Sequence, residues 1–324
     1  MHILIVNHAR IPVYAYGGTE RVVWDLGREL AQMGHRITYL VPEGSSCDFA
    51  DIKILIPGKR WIEQIPEGVD ITHFHFDPHE EPSFPYLVTE HANARNPKPL
   101  PLNTVFLSEN HAKRYGASCF IYNGLDWKNY GPVDVRRKEN FFHFLGRASW
   151  SVKNINGAIS VSRRAGVDLE ILGGNRLNLK GGVRYTLSRH VHFHGMVGGK
   201  EKFSLLSRSR GLILPVRWHE PFGLAVIESL YFGCPVFSTP YGALPEIVGN
   251  DYGVLATSAA ELSDAIKTRQ FDPWECHEYA KLKFNSRKMA DSYENVYKKV
   301  LSGEKLNATA PLMHGQARKL PWRD

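Results

Sequence analysis

Short apolar runs alternate with amphipathic stretches along this chain, and the whole alternation occurs twice. Ile3–Val6 reads as a buried strand, Thr19–Met33 as an amphipathic helix stopped at Gly34, and Arg36–Val41 as the next strand. Asp70–Phe76, Tyr86–Thr89, Thr104–Leu107 and Ser118–Ile121 follow as short strands. The second half opens with strand Phe141–Leu145, helix Ile155–Ala165, and strands Leu169–Leu172 and His192–His194. Helix Lys200–Ser207, strand Gly211–Leu214, helix Phe222–Phe232, strand Val236–Thr239 and helix Ala260–Thr268 complete it. Strands that alternate with helices build parallel sheets covered on both faces. A chain of 324 residues suits two such bodies better than one. The expected fold class is α/β: two Rossmann-like domains, their parallel sheets facing across a cleft.

Between the halves, Gly124–Asn140 reads as a linker, with Gly131-Pro132 and the charge run Arg136-Arg137-Lys138-Glu139. The expected domains are 1–128 and 129–285, then a terminal helix at 286–302 and a loosely ordered tail at 303–324. Apolar residues make up 43% and charged residues 23%, which excludes a disordered chain. Cys47, Cys119, Cys234 and Cys276 are far apart and form no metal-binding pairs, as in a chain with reduced thiols. The apolar start of MHILIVNHAR is too short for a signal-peptide core, and no run approaches the roughly 18 apolar residues of a spanning helix. A cytoplasmic location is expected, with at most peripheral attachment at the inner membrane surface; Lys305, Arg318, Lys319, Trp322 and Arg323 could supply a weak anchor.

Net charge is +7, unevenly spread: residues 1–130 hold 12 Lys/Arg against 15 Asp/Glu, residues 131–324 hold 28 against 18. A basic second half suits a polyanion such as a nucleoside diphosphate. The basic residues are scattered and no nucleic-acid-binding motif is present, so nucleic acid is not an expected partner.

Residues 215–235, PVRWHEPFGLAVIESLYFGCP, hold the densest chemistry. Glu220 and Glu228 are eight positions apart, with a loop turning into a helix between them. Pro221 suits the first helical position, and Glu228 then lies two turns in, roughly 10 Å along the axis. The free N–H groups at Phe222, Gly223 and Leu224 make a seat for phosphate. Carboxylate, phosphate seat and carboxylate in a row can grip a sugar, a diphosphate and a ribose. Gly146-Arg147 ends strand Phe141–Leu145 with Lys153 six residues on, two cations able to neutralise a departing diphosphate. In AYGGTE (15–20) paired glycines allow close backbone approach to a phosphate, and Thr19 can cap the following helix.

These motifs, in this order, resemble the retaining glycosyltransferases of the GT-B fold, glycosyltransferase family 4, from residue 2 to about 301. The resemblance implies that Glu220 binds the donor sugar and Glu228 the ribose, while Arg147 and Lys153 stabilise the diphosphate. It places Gly17, Gly18 and Glu20 where the acceptor domain meets the donor diphosphate. His91, in VTEHANA, would orient the reacting groups, with Glu90 on the acceptor side. Gly173, Met196 and Val197 fall where the family holds the base. Asn123-Gly124-Leu125-Asp126 resembles the hinge element, and Tyr241–Glu246 the loop G-G-x-P-E with Ala243 replacing one glycine. Asn154 stands where glycine is common, and the stretch Val41–Asp70 is shorter than usual. The terminal helix would cross back to brace the first domain.

The function implied is retaining hexosyl or related transfer from a nucleotide-diphosphate sugar, with a UDP-sugar expected, to a carbohydrate or lipid-linked glycan hydroxyl in cell-surface glycan synthesis. Alternatives are a nucleotide-sugar epimerase of the same fold and a non-catalytic nucleotide-sugar-binding protein. His73, His75, Asp77 and His79 in THFHFDPH could be read as metal ligands. The resemblance implies neither a metal nor a cofactor.

Overall fold

The computed structural model describes the chain except residues 14–16, 80–81, 95, 179–183 and 316–318. It divides into two compact units, Met1–Trp127 with Phe284–Gln316, and Lys128–Lys283 with Ala317–Asp324.

The first unit opens with β1 (His2–Val6), α1 (Gly18–Gln32), β2 (Arg36–Val41), β3 (Asp51–Ile54), β4 (Ile71–Phe74), β5 (Tyr86–Thr89), β6 (Thr104–Val105) and α2 (Glu109–Arg114). The six strands form one parallel sheet in the order β3-β2-β1-β4-β5-β6, with Ile3 of β1 opposite both Ile37 and Ile71. Ile3, Leu4, Ile5 and Val6 are all fully buried. A strand covered on both faces reads as a continuous apolar run, which is why β1 was visible without alternation. β3 falls inside Val41–Asp70, where the sequence shows no strand; its Asp51-Ile52-Lys53-Ile54 pattern is short, partly exposed and lies at the sheet edge. Conversely, Ser118–Ile121 forms no full strand. It makes a single bridge, Phe106 with Phe120, because Phe106 N donates to Cys119 O and Ile121 N to Phe106 O.

The second unit contains β7 (Phe141–Leu145), α3 (Ile155–Ala165), β8 (Asp168–Leu172), β9 (Leu177–Asn178), β10 (Arg184–Tyr185), β11 (Val191–Phe193), α4 (Gly199–Arg208) and β12 (Leu212–Leu214). Then come α5 (Leu224–Tyr231), β13 (Val236–Ser238), α6 (Leu244–Ile247), β14 (Gly253–Leu255), α7 (Ala259–Thr268) and α8 (Pro273–Lys283). Its main sheet is again six-stranded, in the order β11-β8-β7-β12-β13-β14, and parallel throughout; β9 and β10 pair separately as an antiparallel ribbon.

The last helix, α9 (Ser286–Leu301), returns to the first unit. Its Ser286 hydroxyl donates to Glu29 on α1 at 2.9 Å, and its Tyr293 and Tyr297 are buried beneath β4 and β5. Gly124 makes that return possible, since a Cβ there would stand 2.1 Å from the Asn285 carbonyl oxygen. Leu125 N bonds Phe284 O and Ser286 N bonds Leu125 O, so the hinge element runs beside the start of α9 as a bridge. The tail 303–324, expected to be loosely ordered, is instead held along its described residues. Asn307 bonds Leu102 O and Thr104 O, Leu312 N bonds Tyr115 O, and Met313 is buried. Further on, Leu320 N bonds Arg217 O and Arg323 N bonds Thr257 O. Polar composition concealed this, because the tail is fixed mostly through its backbone and one asparagine, with Met313 packed into the apolar cluster of Leu100, Phe106 and Tyr115. Of the expected anchor residues, Arg318 lies outside the described residues.

Candidate active site

Glu220 occupies the turn between β12 and α5 and is 7% exposed. Ala243 N donates to its carbonyl at 2.8 Å, and Gly242 packs so closely that a Cβ would lie 2.3 Å from both Glu220 N and O. Gly242 also has φ 68, so this single glycine satisfies both the left-handed turn and the close approach. The Glu220 carboxylate is held by one oxygen. Oε2 accepts from Lys153 Nζ at 2.6 Å and from Trp218 Nε1 at 2.8 Å; among the described residues Oε1 makes no hydrogen bond.

Lys153 arrives on a short 3-10 turn, Ser151–Lys153, and lies 5.0 Å over the Trp218 ring. Arg147 stacks 5.0 Å from the Trp150 ring, and Trp150 meets Trp218 edge to face. Arg217 N bonds Val152 O at 2.7 Å, which brings the loop after β7 beside the loop after β12. Asn154 explains the missing glycine: it adopts φ 54, ψ 52, a left-handed conformation asparagine tolerates. Its side chain caps α3 by accepting from Gly157 N and donates to Pro215 O at 3.0 Å.

Glu228 is 2% exposed on α5. Its Oε1 accepts from Lys202 Nζ of α4 at 2.6 Å and from the Tyr130 hydroxyl at 2.8 Å. The helix begins at Leu224 with Gly223 as its cap at φ 106, so Pro221 precedes the helix rather than starting it. Glu228 is therefore about one turn in, not two. Leu224 and Ala225 are its first helical residues, whose N–H groups have no acceptor within the helix. Gly173 lies instead against the loop after β7. A Cβ on it would stand 2.2 Å from Gly146 O, and its N–H bonds Gly195 O at 2.7 Å, setting Met196 (48% exposed) and Val197 beside it.

In the first unit, Gly17 caps α1, and Thr19, expected as the cap, lies inside the helix; Ala15 and Tyr16 are outside the described residues. The Glu20 carboxylate folds against Gly17, 2.6 Å from where a Cβ would be. His91 follows β5, its Nε2 lying 2.8 Å from His75 Nδ1. Burial lowers the His91 pKa to about 4 and raises that of Glu90 to about 7, so the histidine is held neutral. Glu90 Oε1 accepts from Ala92 N at 3.0 Å. α2 and the residue that caps its end clamp the same loop, with His111 Nε2 and the Tyr115 hydroxyl both 3.3 Å from Ala92 O. His73 and His75 are engaged in ring contacts, while His79 pairs with Asp77 at 2.9 Å on the surface; no cluster able to hold a metal occurs among the described residues.

Three residues of these networks escaped the sequence reading: Trp218, Tyr130 and Lys202. Trp218 stands two residues before Glu220 and was the findable one. Lys202 sits in a run of charges, Lys200-Glu201-Lys202, where nothing marks which lysine is buried.

Paired six-stranded parallel sheets, with carboxylates pinned by lysines at the loop and helix following β12, define a glycosyltransferase of the GT-B fold. The chain belongs to the family Glycosyl transferases group 1, whose model matches residues 128–289. It is 21% identical to the O-antigen chain mannosyltransferase C of Escherichia coli, over 89% of this chain and 96% of that one. It is 29% identical over 117 residues to a 41.2 kDa protein of the cps region of Klebsiella pneumoniae, 34% of this chain and 32% of that protein. Among solved structures it superposes on AviGT4, a glycosyltransferase involved in avilamycin A biosynthesis, at a TM-score of 0.73, 21% identity and coverage of 93% and 98%. For the HepE protein of Anabaena in complex with UDP-glucose, the TM-score is 0.65 at 13% identity, with coverage of 93% and 100%. Among the described residues no helix is long and apolar enough to cross a membrane.

Proposed function

We propose that this glycosyltransferase is retaining, and that it moves a hexosyl or related unit from a nucleotide-diphosphate sugar, a UDP-sugar in the first instance, to a hydroxyl of a carbohydrate or lipid-linked glycan. The observation that carries this reading is the divided Glu220 carboxylate. Oε2 is fixed by two donors, which leaves Oε1 as an oriented acceptor for a sugar hydroxyl. Lys153 and Arg147 supply positive charge where the leaving diphosphate develops its own, and the first N–H groups of α5 add to it. Glu228 binds the ribose, and Gly173, Met196 and Val197 adjoin the base. In the first unit, His91 orients the reacting groups, and Gly17, Gly18, Glu20 and Glu90 serve the acceptor side.

Transfer with retention proceeds by attack of the acceptor oxygen on the face from which the diphosphate departs. The acceptor–carbon bond forms as the carbon–phosphate oxygen bond breaks, and the leaving phosphate takes the acceptor's proton. No metal or cofactor enters this scheme. The likeness to an O-antigen mannosyltransferase favours a cell-surface glycan product, formed on the cytoplasmic side with at most peripheral contact to the membrane.

Thermal unfolding with UDP, GDP, ADP and their common sugar conjugates tests the donor site. A ligand at about 100 times its Kd adds about 2.7 kcal/mol and raises the midpoint by several degrees. A response to one base names the donor class; the same midpoint with every nucleotide would overturn the assignment. Conversion of the donor sugar to an epimer with no acceptor present would instead favour the epimerase reading.

A further inference from the structure

The histidine assigned above to orient the reacting groups does not stand alone. His73, His75 and His91 form a row of rings, with centroids 4.1 Å and 5.1 Å apart and interplanar angles below 30°. The far end of the row is anchored. His73 Nδ1 is 2.8 Å from the Tyr297 hydroxyl, and its Nε2 is 2.7 Å from Thr89 Oγ1, which is 2.8 Å from the Tyr293 hydroxyl. α9 thus locks the first ring, the second stacks on it, and the second bonds the third.

Burial keeps all three rings neutral, so each carries one N–H and one bare nitrogen. One proton therefore lies between His75 Nδ1 and His91 Nε2, and its ownership sets the tautomer of both rings. If His91 owned it, the proton of His75 would sit on Nε2, a buried atom with no hydrogen-bond partner. A buried N–H without an acceptor is the rarer and costlier defect; an unpaired acceptor is better tolerated. The proton belongs to His75.

We infer that His75 is a positioning residue for His91: it donates from Nδ1 to His91 Nε2, and so fixes His91 in the Nδ1–H tautomer, leaving Nδ1–H as the donor available to a substrate oxygen. Among the described residues His91 Nδ1 makes no hydrogen bond, but unlike His75 Nε2 it is not sealed from solvent, so an N–H there can meet water or a substrate oxygen. The role of that N–H in transfer rests on the proposed function; the tautomer itself does not. In water a neutral histidine favours the proton on Nε2, so an Nδ1–H form is the mark of an imposed partner.

The test is a long-range nitrogen–proton correlation spectrum of the full-length protein with 15N-labelled histidine at neutral pH, the His91 signals assigned by their loss in His91→Asn. The expected result is a protonated Nδ1 and a bare Nε2 on His91. His75→Asn, whose amide N–H can stand in for Nδ1–H, should keep that form. His75→Phe, which keeps the stack and removes the donor, should move the proton to Nε2. A His91 already protonated on Nε2, or one unaffected in His75→Phe, overturns the inference. With whichever UDP-, GDP- or ADP-sugar stabilises the protein, His75→Phe should lower kcat roughly tenfold or more with little change in KM, and His75→Asn should restore most of it. If none of these nucleotide sugars stabilises the protein, the donor reading fails while the tautomer result stands.

Discussion

Lys153 Nζ lies 2.6 Å from Glu220 Oε2, and both side chains are largely buried, at 14% and 9% exposure. The two charges neutralise each other where neither is well hydrated, so removing one leaves the other uncompensated. Lys153→Ala and Glu220→Ala should each cost about 3 kcal/mol of stability, and the double variant clearly less than the sum. A double-mutant cycle by denaturant unfolding checks this; strict additivity would show that the contact carries no energy. Donor turnover should fall about 100-fold or more in Lys153→Ala if that lysine stabilises the leaving diphosphate.

Glu228 is buried more deeply, between Lys202 and Tyr130. Its structural role can be separated from the proposed contact to the ribose. Tyr130→Phe removes one hydrogen bond and should cost about 1 kcal/mol. Glu228→Ala leaves the Lys202 ammonium buried without its counter-charge and should cost about 3 kcal/mol even with no nucleotide present. Unfolding curves with and without nucleotide distinguish the two contributions. A Glu228→Ala protein as stable as the parent would remove the structural half of the role.

Buried titratable groups set the pH response of the fold. Burial holds His91 at about 4 and His111 and His143 at about 3, against 6.5 when unfolded. Each binds fewer protons folded than unfolded, so stability falls as pH drops below 6.5, by about 1.4 kcal/mol per unit for each group. Asp25 acts in the opposite sense. Burial raises it to about 7 from 3.8, so the folded state holds a proton the unfolded state has released, a contribution lost as pH rises from about 4 to 7. Asp25→Asn keeps an oxygen for the Asp126 N–H, 3.0 Å away, and cannot ionise. The stability of the variant relative to the parent should therefore climb between pH 4 and 7 and level off above. A flat difference across that range would exclude the titration of Asp25.

The sheet strands were legible where burial on both faces made them continuously apolar, as in β1, and lost where they were short and at an edge, as in β3. Glu220, Glu228, Arg147 and Lys153 could be singled out as candidates because their spacing along the chain is itself the signal. Lys202 and Tyr130 could not, since they reach Glu228 from 26 and 98 positions away and nothing local distinguishes them. His75 was visible as a residue but not as a partner of His91: the sequence presents it within a cluster resembling metal ligands, and only the pairing of β4 with β5 brings the two rings together. The tail misled for a related reason, because backbone hydrogen bonds leave no trace in composition.

Gly242 offers the sharpest test of how the Glu220 carboxylate is placed. A Cβ there would meet Glu220 N and O at 2.3 Å, contacts with backbone that no rotamer change can relieve, at a φ of 68 that side chains rarely adopt. Gly242→Ala must therefore push the Glu220 backbone aside, and with it the carboxylate held by Lys153 and Trp218. Misplacement of about 1 Å can cost about 100-fold in rate. The variant should bind nucleotide nearly as well as the parent, since Glu228 and the start of α5 lie beyond the disturbed turn, while donor turnover falls by that factor. Gly124→Ala is the control: its Cβ would meet the Asn285 carbonyl at 2.1 Å in the first unit, so it should lower the unfolding midpoint without displacing Glu220 relative to Lys153. If Gly242→Ala turned over donor like the parent, the turn at Glu220 would be compliant, and the fixed carboxylate could not be the basis of sugar recognition.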